Sequence, residues 1–376
     1  MFGNRCGRTV AVSSAAVILL VTGGCGSSGN GDQTQTTPTP SSEPIVYVAG
    51  YFHSDLSGVW ADGWAPCYWK DGVRTDLSVL DASAPGEANA VIVVGSDVYV
   101  AGETRTRFNV NVACYWKNGV RTDLQSADIT SGLGNGLYVS GSDVYVGGQA
   151  ARLGTSWPCY WKNGARTDLS ALVQGGIANS IYVAGSDVYL AGTQNPLGIV
   201  SVPCYWKNGV RTDLSVLNAS MSGSAHSVYV SGNDVYVAGG TQSGTFTGAP
   251  CYWKNRARTD LSVLSDSGGA YSIYVTGSDV YVAGYTWGAF TVPCYWKNGT
   301  RTDLSVLAAL GGIASSVVTS GSSVYVAGYT NNASRRYVPC FWKNGARTDL
   351  DGGHADPNVS DMSPDSPAMS IFVANR

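Results

Sequence analysis

The feature that most constrains this chain is that it repeats itself. The stretch Cys-Tyr-Trp-Lys-Asn-Gly-Val-Arg-Thr-Asp-Leu, seen at residues 204–214, occurs seven times with small changes, beginning at Cys67, Cys114, Cys159, Cys204, Cys251, Cys294 and Cys340. Successive copies lie 43 to 47 residues apart. Between them recur short runs of Val, Tyr, Ile and Ala broken by Gly-Ser-Asp. A period of this size with several short strands in it predicts a β-propeller of four-stranded blades.

One copy shows how a blade is written. Residues 180–183 form a strand, 184–187 a turn and 188–192 a second strand. A variable loop, 193–202, leads to Pro203, which opens the third strand at a place where its missing N–H is tolerated. Asn208-Gly209 is a type I′ hairpin signal, because both residues accept positive φ. Setting that two-residue loop pairs Lys207 with Val210, Trp206 with Arg211, Tyr205 with Thr212 and Cys204 with Asp213. A cation–π contact between Trp206 and Arg211 is then expected, with the tryptophan as a packing anchor of the outer blade rather than a ligand-binding aromatic.

The ends of the chain predict closure. Residues 45–50 match the second strand of the unit, and the missing first strand appears at 370–373. The expected fold is therefore all-β: a seven-bladed β-propeller of four-stranded antiparallel blades, closed by pairing N- and C-terminal strands in one blade.

Composition narrows the function. Charged residues make up 13% and the net charge is −3, so nothing marks a nucleic-acid surface. All seven lysines, Lys70 to Lys343, share one repeat position and form a ring, not a patch. Seven of the nine cysteines also share one position. Neighbouring blades stand about 10 Å apart, as packed sheets do, and a disulfide needs Cα atoms within about 7 Å. These seven are expected to be free, buried thiols, and the same distances argue against a metal among them. No cofactor is expected.

Residues 1–24 have the form of a secretory signal, with Arg5 and Arg8 before an apolar run from Val10 to Val21 and then Gly-Gly-Cys. The ending resembles a bacterial lipobox, which would make Cys25 the lipidated N-terminus; a plain signal cut nearby is the alternative. Residues 25–44 read as a disordered tether, and 45–376 as the propeller. The expected location is exported and lipid-anchored at the cell envelope or surface, with the anchor as the only membrane contact and the protein as a monomer.

Trp296, Gly299, Asp303, Leu304, Leu307, Gly311, Gly312 and Ala314 give a W-x-x-G-x-x-x-D-L-x-x-L-x-x-x-G-G-x-A pattern. This resembles the bacterial extracellular HAF repeats, with Pro-Cys-Tyr in place of His-Ala-Phe. Residues 280–286 and 324–330 resemble general bacterial β-propeller repeats. The resemblance implies a propeller and an exported location, and no catalytic residues.

The Gly-Ser-Asp and Asn-Gly turns barely differ among copies, whereas the loops between second and third strands and the links between blades vary widely. The two sets are expected on opposite faces, with any specific site on the variable one. Those loops hold Phe52, His53, Trp60, Trp64, Arg105, Arg107, Phe108, Trp157, Trp287, Phe290, Arg335, Arg336 and Tyr337. Aromatics with arginine suit peptide or sugar binding. Plugs packed on the blades would explain some of them equally, Trp64 and Trp157 first. The candidate ligand-binding set is Trp60, Arg105, Arg107, Phe108, Trp287, Phe290, Arg335, Arg336 and Tyr337. The repeated Asp97, Asp143, Asp187, Asp234 and Asp279 read as turn residues rather than calcium ligands. The three histidines, His53, His226 and His354, stand in no motif. A binding or scaffold module is favoured, and the alternative is an exported hydrolase or lyase with a site assembled from loops at the channel mouth. Converging carboxylates or a histidine there would favour the enzyme; an apolar, Arg-rimmed groove would favour binding.

Overall fold

The computed structural model describes residues 12–13, 16–17, 43–53, 64–124, 127–169, 175–195, 200–242, 248–265, 267–333, 337–350 and 370–375. They form a seven-bladed β-propeller of four-stranded antiparallel sheets. In each blade the chain runs from the inner strand outward, as in blade two, with Gly86–Val94, Asp97–Arg105, Asn111–Lys117 and Val120–Asp123. Blade one takes its inner strand, Ser370–Ala374, from the C-terminus and sets it beside Ile45–His53. The inner strands adjoin one another around a closed ring.

The Asn-Gly hairpins have the predicted register, Lys207 opposite Val210 through Cys204 opposite Asp213. Asn208 and Gly209 take φ of 50° and 80°, as a type I′ turn requires. The turn also docks on its own blade. Asn118 donates from Nδ2 to Asp97 Oδ1 at 2.8 Å and accepts from the Val98 N–H at 2.8 Å. The Lys117 ammonium pairs with the same Asp97 at 2.8 Å and lies over the Tyr99 ring. Equivalent contacts recur at Asp143, Asp187, Asp234 and Asp279, so these aspartates tie two turns together. In blade seven Ser323 stands in their place, and Lys343 pairs with Glu43 instead.

The repeat tryptophans hold blades to each other. All seven are fully buried. The indole N–H of Trp116 donates to the Ser78 carbonyl in the link from the preceding blade, at 2.8 Å. Trp253, Trp296 and Trp342 do the same to Ser215, Ser262 and Ser305. A buried indole needs an acceptor, and in these four blades the link supplies it; the Trp161 and Trp206 N–H groups are buried with no acceptor among the described residues. The cation–π contact expected of Trp206 gives way to an ion pair: Arg211 turns to Asp213, two residues along its own strand, at 2.5 Å. The equivalent Arg258 does lie over Trp253, 5.9 Å from the ring centroid. The seven cysteines are free and fully buried, as their spacing predicted. Burial pushes the Cys204 thiol up to about 12.

The inner strands differ from the sequence reading. In blade four the strand is Gly175–Ala184, five residues longer at its start than the apolar run suggests. A β-bulge interrupts it between Ala178 and Ser180. The same bulge occurs in blades two, three, five, six and seven. It turns a carbonyl toward the second strand, where only glycine leaves room. A Cβ on Gly102 would sit 1.9 Å from the Glu87 carbonyl oxygen, and one on Gly284 would sit 1.9 Å from that of Gly269. The glycine at this position of the second strand in blades two to seven is there for this close approach.

Two short strands, Val12–Ser13 and Ala16–Val17, pair with each other and lie against the inner strands of blades one to four. They fall in the stretch read as a signal.

Candidate functional site

The variable loops and links meet the channel where the inner strands begin. The predicted residues reach this face in separate sectors. In blade two, Arg107 lies over the Phe108 ring at 4.8 Å, and Phe108 is 75% exposed. Arg105 ends the second strand and donates to Asn109 Oδ1 at 3.2 Å. In blade six, Trp287 and Phe290 flank a tight loop in which the Gly288 N–H donates to the Phe290 carbonyl. Both are more than 40% exposed. In blade seven, Tyr337 packs on Tyr329 with centroids 4.4 Å apart. Trp60, Arg335, Arg336 and Cys25 lie outside the described residues.

Two of the other loop aromatics are packing groups. Trp157 is 2% exposed and donates its indole N–H to Asp168. Trp64 meets Tyr51 edge-on at 4.3 Å. Phe52 lies under the Arg74 guanidinium at 3.8 Å, which is where a blade-one cation–π contact does form.

The structure adds a set of residues on the inner strands, of which the sequence had singled out only His226. The extra residue at each bulge is Asn89, Asn135, Asn179, His226, Tyr271 and Ser315 in blades two to seven. Bulges re-aim side chains and often flank functional sites. Asn89 donates to the Gly134 carbonyl of the next blade at 3.0 Å, and to Glu103 Oε2 at 2.9 Å. Asn135 and Asn179 bridge to Ala178 and Ala225 in the same way, at 3.0 and 2.8 Å. The signal was present: one repeat position, between two small residues just before the inner-strand apolar run, changes from Asn to His, Tyr and Ser.

Two glutamates accompany the arc. Glu87 and Glu103 face each other across the inner and second strands of blade two. Glu103 is 5% exposed; burial, with the Glu87 charge second, raises its carboxyl well above the ordinary range. Burial also raises Glu87, and the Arg105 charge, 3.9 Å away, opposes that shift.

Across blades five to seven the mouth is aromatic. His226 meets Tyr271 at 5.2 Å between centroids, Tyr271 stacks on Tyr285 at 5.9 Å and 24°, and Tyr285 meets Trp287 edge-on at 6.4 Å. A Cβ on Gly269 would lie 2.7 Å from Tyr285 Cε1, so the glycine lets that ring lie against the strand. Burial holds the His226 imidazole down at about 4, neutral at pH 7. Farther along the channel, Tyr138, Tyr182, Tyr229 and Tyr274 form a chain of rings 5.1 to 5.2 Å apart.

The arrangement defines a propeller with a chemically divided channel mouth, asparagine amides on blades two to four with two glutamates on blade two, and aromatic rings on blades five to seven. No family profile matches the chain, and no curated protein matches it in sequence. Among solved structures it is similar to the β-propeller domain of the trilobed protease from Pyrococcus furiosus, at 10% identity and a TM-score of 0.47, over 85% of this chain and 98% of that one. It is also similar to TolB from Acinetobacter baumannii, at 10% identity and a TM-score of 0.42, over 71% of this chain and 65% of that one. Neither likeness bears on activity.

Proposed function

We propose that the protein is an exported β-propeller, anchored by a lipid on Cys25 and held off the membrane by residues 25–44, that acts as a binding module through its variable-loop face. The observation that carries the binding reading is the aromatic run Tyr271–Tyr285–Trp287, with Tyr337 of the next blade seated on the buried Tyr329. Such rings offer large, rigid contact area at little entropic cost, which is hot-spot chemistry for a glycan or peptide. Export and anchoring rest on the sequence of residues 1–25. The HAF-like pattern adds support to the exported location.

A hydrolase or lyase would draw on Glu87, Glu103 and His226. Glu103 is buried behind Asn89, which leaves Glu87 as the more exposed carboxylate of the pair. A general acid must reach the bond it protonates, so burial takes Glu103 out of that role and leaves Glu87 as the one reachable carboxylate of the pair, short of the converging set that catalysis would need.

Two measurements test the proposal. A fatty-acid probe should label the wild type in cells and leave Cys25→Ser unlabelled; equal labelling refutes the anchor. A screen of glycans and peptides should give a ligand whose binding falls on Trp287→Ala by about 2 kcal/mol, the scale of a hot-spot truncation, at unchanged melting temperature. A Trp287→Ala protein that binds normally, or that melts far lower, refutes the binding face.

A further inference from the structure

The bulge arc offers one kind of hydrogen-bonding group. Asn89, Asn135 and Asn179 each point the NH₂ end of the amide at a backbone carbonyl of the next blade. A carbonyl only accepts, so this contact fixes which end is oxygen. The three amide oxygens are thereby turned the other way. They accept no hydrogen bond from any described residue and are not sealed from solvent. Glu87 adds a partly exposed carboxylate. Its neighbour Arg105 stands 3.9 Å off, beyond hydrogen-bond reach, and is already engaged with Asn109. The lysines are elsewhere, on the third strands beside the Asn-Gly turns, and five of the seven pair with the turn aspartates. The polar side of the channel mouth therefore asks for donors.

The aromatic side suits a cation as well. Tyr271, Tyr285 and Trp287 present ring faces and edges, and His226 between them and the polar side carries no charge at neutral pH. His226 makes no hydrogen bond with a described residue. An anion would meet the Glu87 carboxylate. A neutral polyol would bring as many acceptors as donors to a wall of acceptors. An ammonium group brings three donors and no acceptor, and aromatic faces attract it further.

We propose that the channel mouth is a binding site for a ligand bearing a primary ammonium group, held in blade two at the Glu87 carboxylate and the Asn89 amide oxygen two residues along the same strand, with the amide oxygens of Asn135 and Asn179 continuing the acceptor wall and the ligand's apolar body resting on Tyr285 and Trp287. The proposal rests on the binding-module reading and adds the ligand's chemistry to it. Amino sugars and lysine-bearing peptides both carry the group.

The test is calorimetric titration of the full chain with two matched pairs: a glucosamine oligomer against its N-acetylated counterpart, and a lysine peptide against the same peptide with norleucine. The charged member of at least one pair should bind about tenfold tighter or more, the scale of a charge-assisted contact. The pair that shows the difference names the source. Added salt should weaken the charged member alone. Glu87→Gln keeps the shape and removes the charge; it should cut the preference several-fold without lowering the melting temperature. If a neutral member binds as well as its charged partner, and Trp287→Ala abolishes that binding, the ammonium assignment is wrong and the binding module stands. If none of the four binds, the ammonium assignment is overturned, and the glycan and peptide screen decides the module separately.

Discussion

Ring closure can be tested by cutting it. The inner strand of blade one comes from the far end of the chain, and Ile371, Phe372 and Val373 within it are 0%, 1% and 2% exposed. Phe372 faces Tyr47 across the pair, with ring centroids 6.4 Å apart. The strand also bonds sideways: the Ile371 N–H donates to the Ser316 hydroxyl of blade seven at 3.2 Å. The same bond joins Val317 to Ser272, Ile273 to Ser227 and Val228 to Ser180, so the closing blade is seated as the others are. Phe372→Ala should cost about 3–5 kcal/mol, as buried phenylalanine truncations do. At roughly 2 °C per kcal/mol for a domain of this size, the melting temperature should fall by about 8 °C. Ending the chain before Ser370 removes all three side chains, about 6 kcal/mol of burial at ~2 each, and exposes a strand edge. Against a total stability of about 5–15 kcal/mol, the remaining ring should be marginal and prone to aggregate. Circular dichroism melts and light scattering measure both effects. Phe108→Ala, at a 75% exposed loop position, is the control and should stay within about 0.5 kcal/mol. A truncated chain that melts with the full one would refute closure by the terminal strand.

Two further outcomes follow from burial. A thiol reagent should find the seven repeat cysteines unreactive in the native protein and count seven in the propeller domain, residues 45–376, after denaturation without reductant; a lower count would contradict the free, buried thiols. Glu103 keeps its proton to higher pH in the folded chain than in the unfolded one, so its share of stability is intact below the ordinary glutamate value of 4.5 and is lost as pH rises through the raised value. Glu103→Gln should therefore melt higher than the wild type at pH 8 and close to it at pH 4, and an equal difference at both would show that Glu103 is not held protonated.

The sequence by itself determined the number of blades, the strand order, the hairpin register and the closing strand. Each rests on a local signal: a period, an Asn-Gly pair whose φ values suit one turn type, an apolar alternation matched at both ends. It also determined that the seven cysteines stay apart, because equivalent positions in successive blades are separated by a sheet spacing. The tertiary structure alone decided which side chains meet. Trp206 and Arg211 are correctly paired in sequence, yet the arginine prefers the aspartate beside it, and the equivalent indoles in four blades reach back to the preceding link. Neither choice is visible within one copy, since the indole's partner belongs to another blade. The bulges have the same origin. A run such as Gly-Glu-Ala-Asn-Ala carries little strand preference of its own and extends the inner strand because it pairs with a second strand already in place. The bulge turns Asn89, Asn135 and Asn179 onto the inner strand of the neighbouring blade, at a position where copies that look alike in sequence become unlike in chemistry. Position in the repeat fixes where such a side chain stands; only the closed ring brings Asn, Glu, His and Tyr from different blades to one mouth.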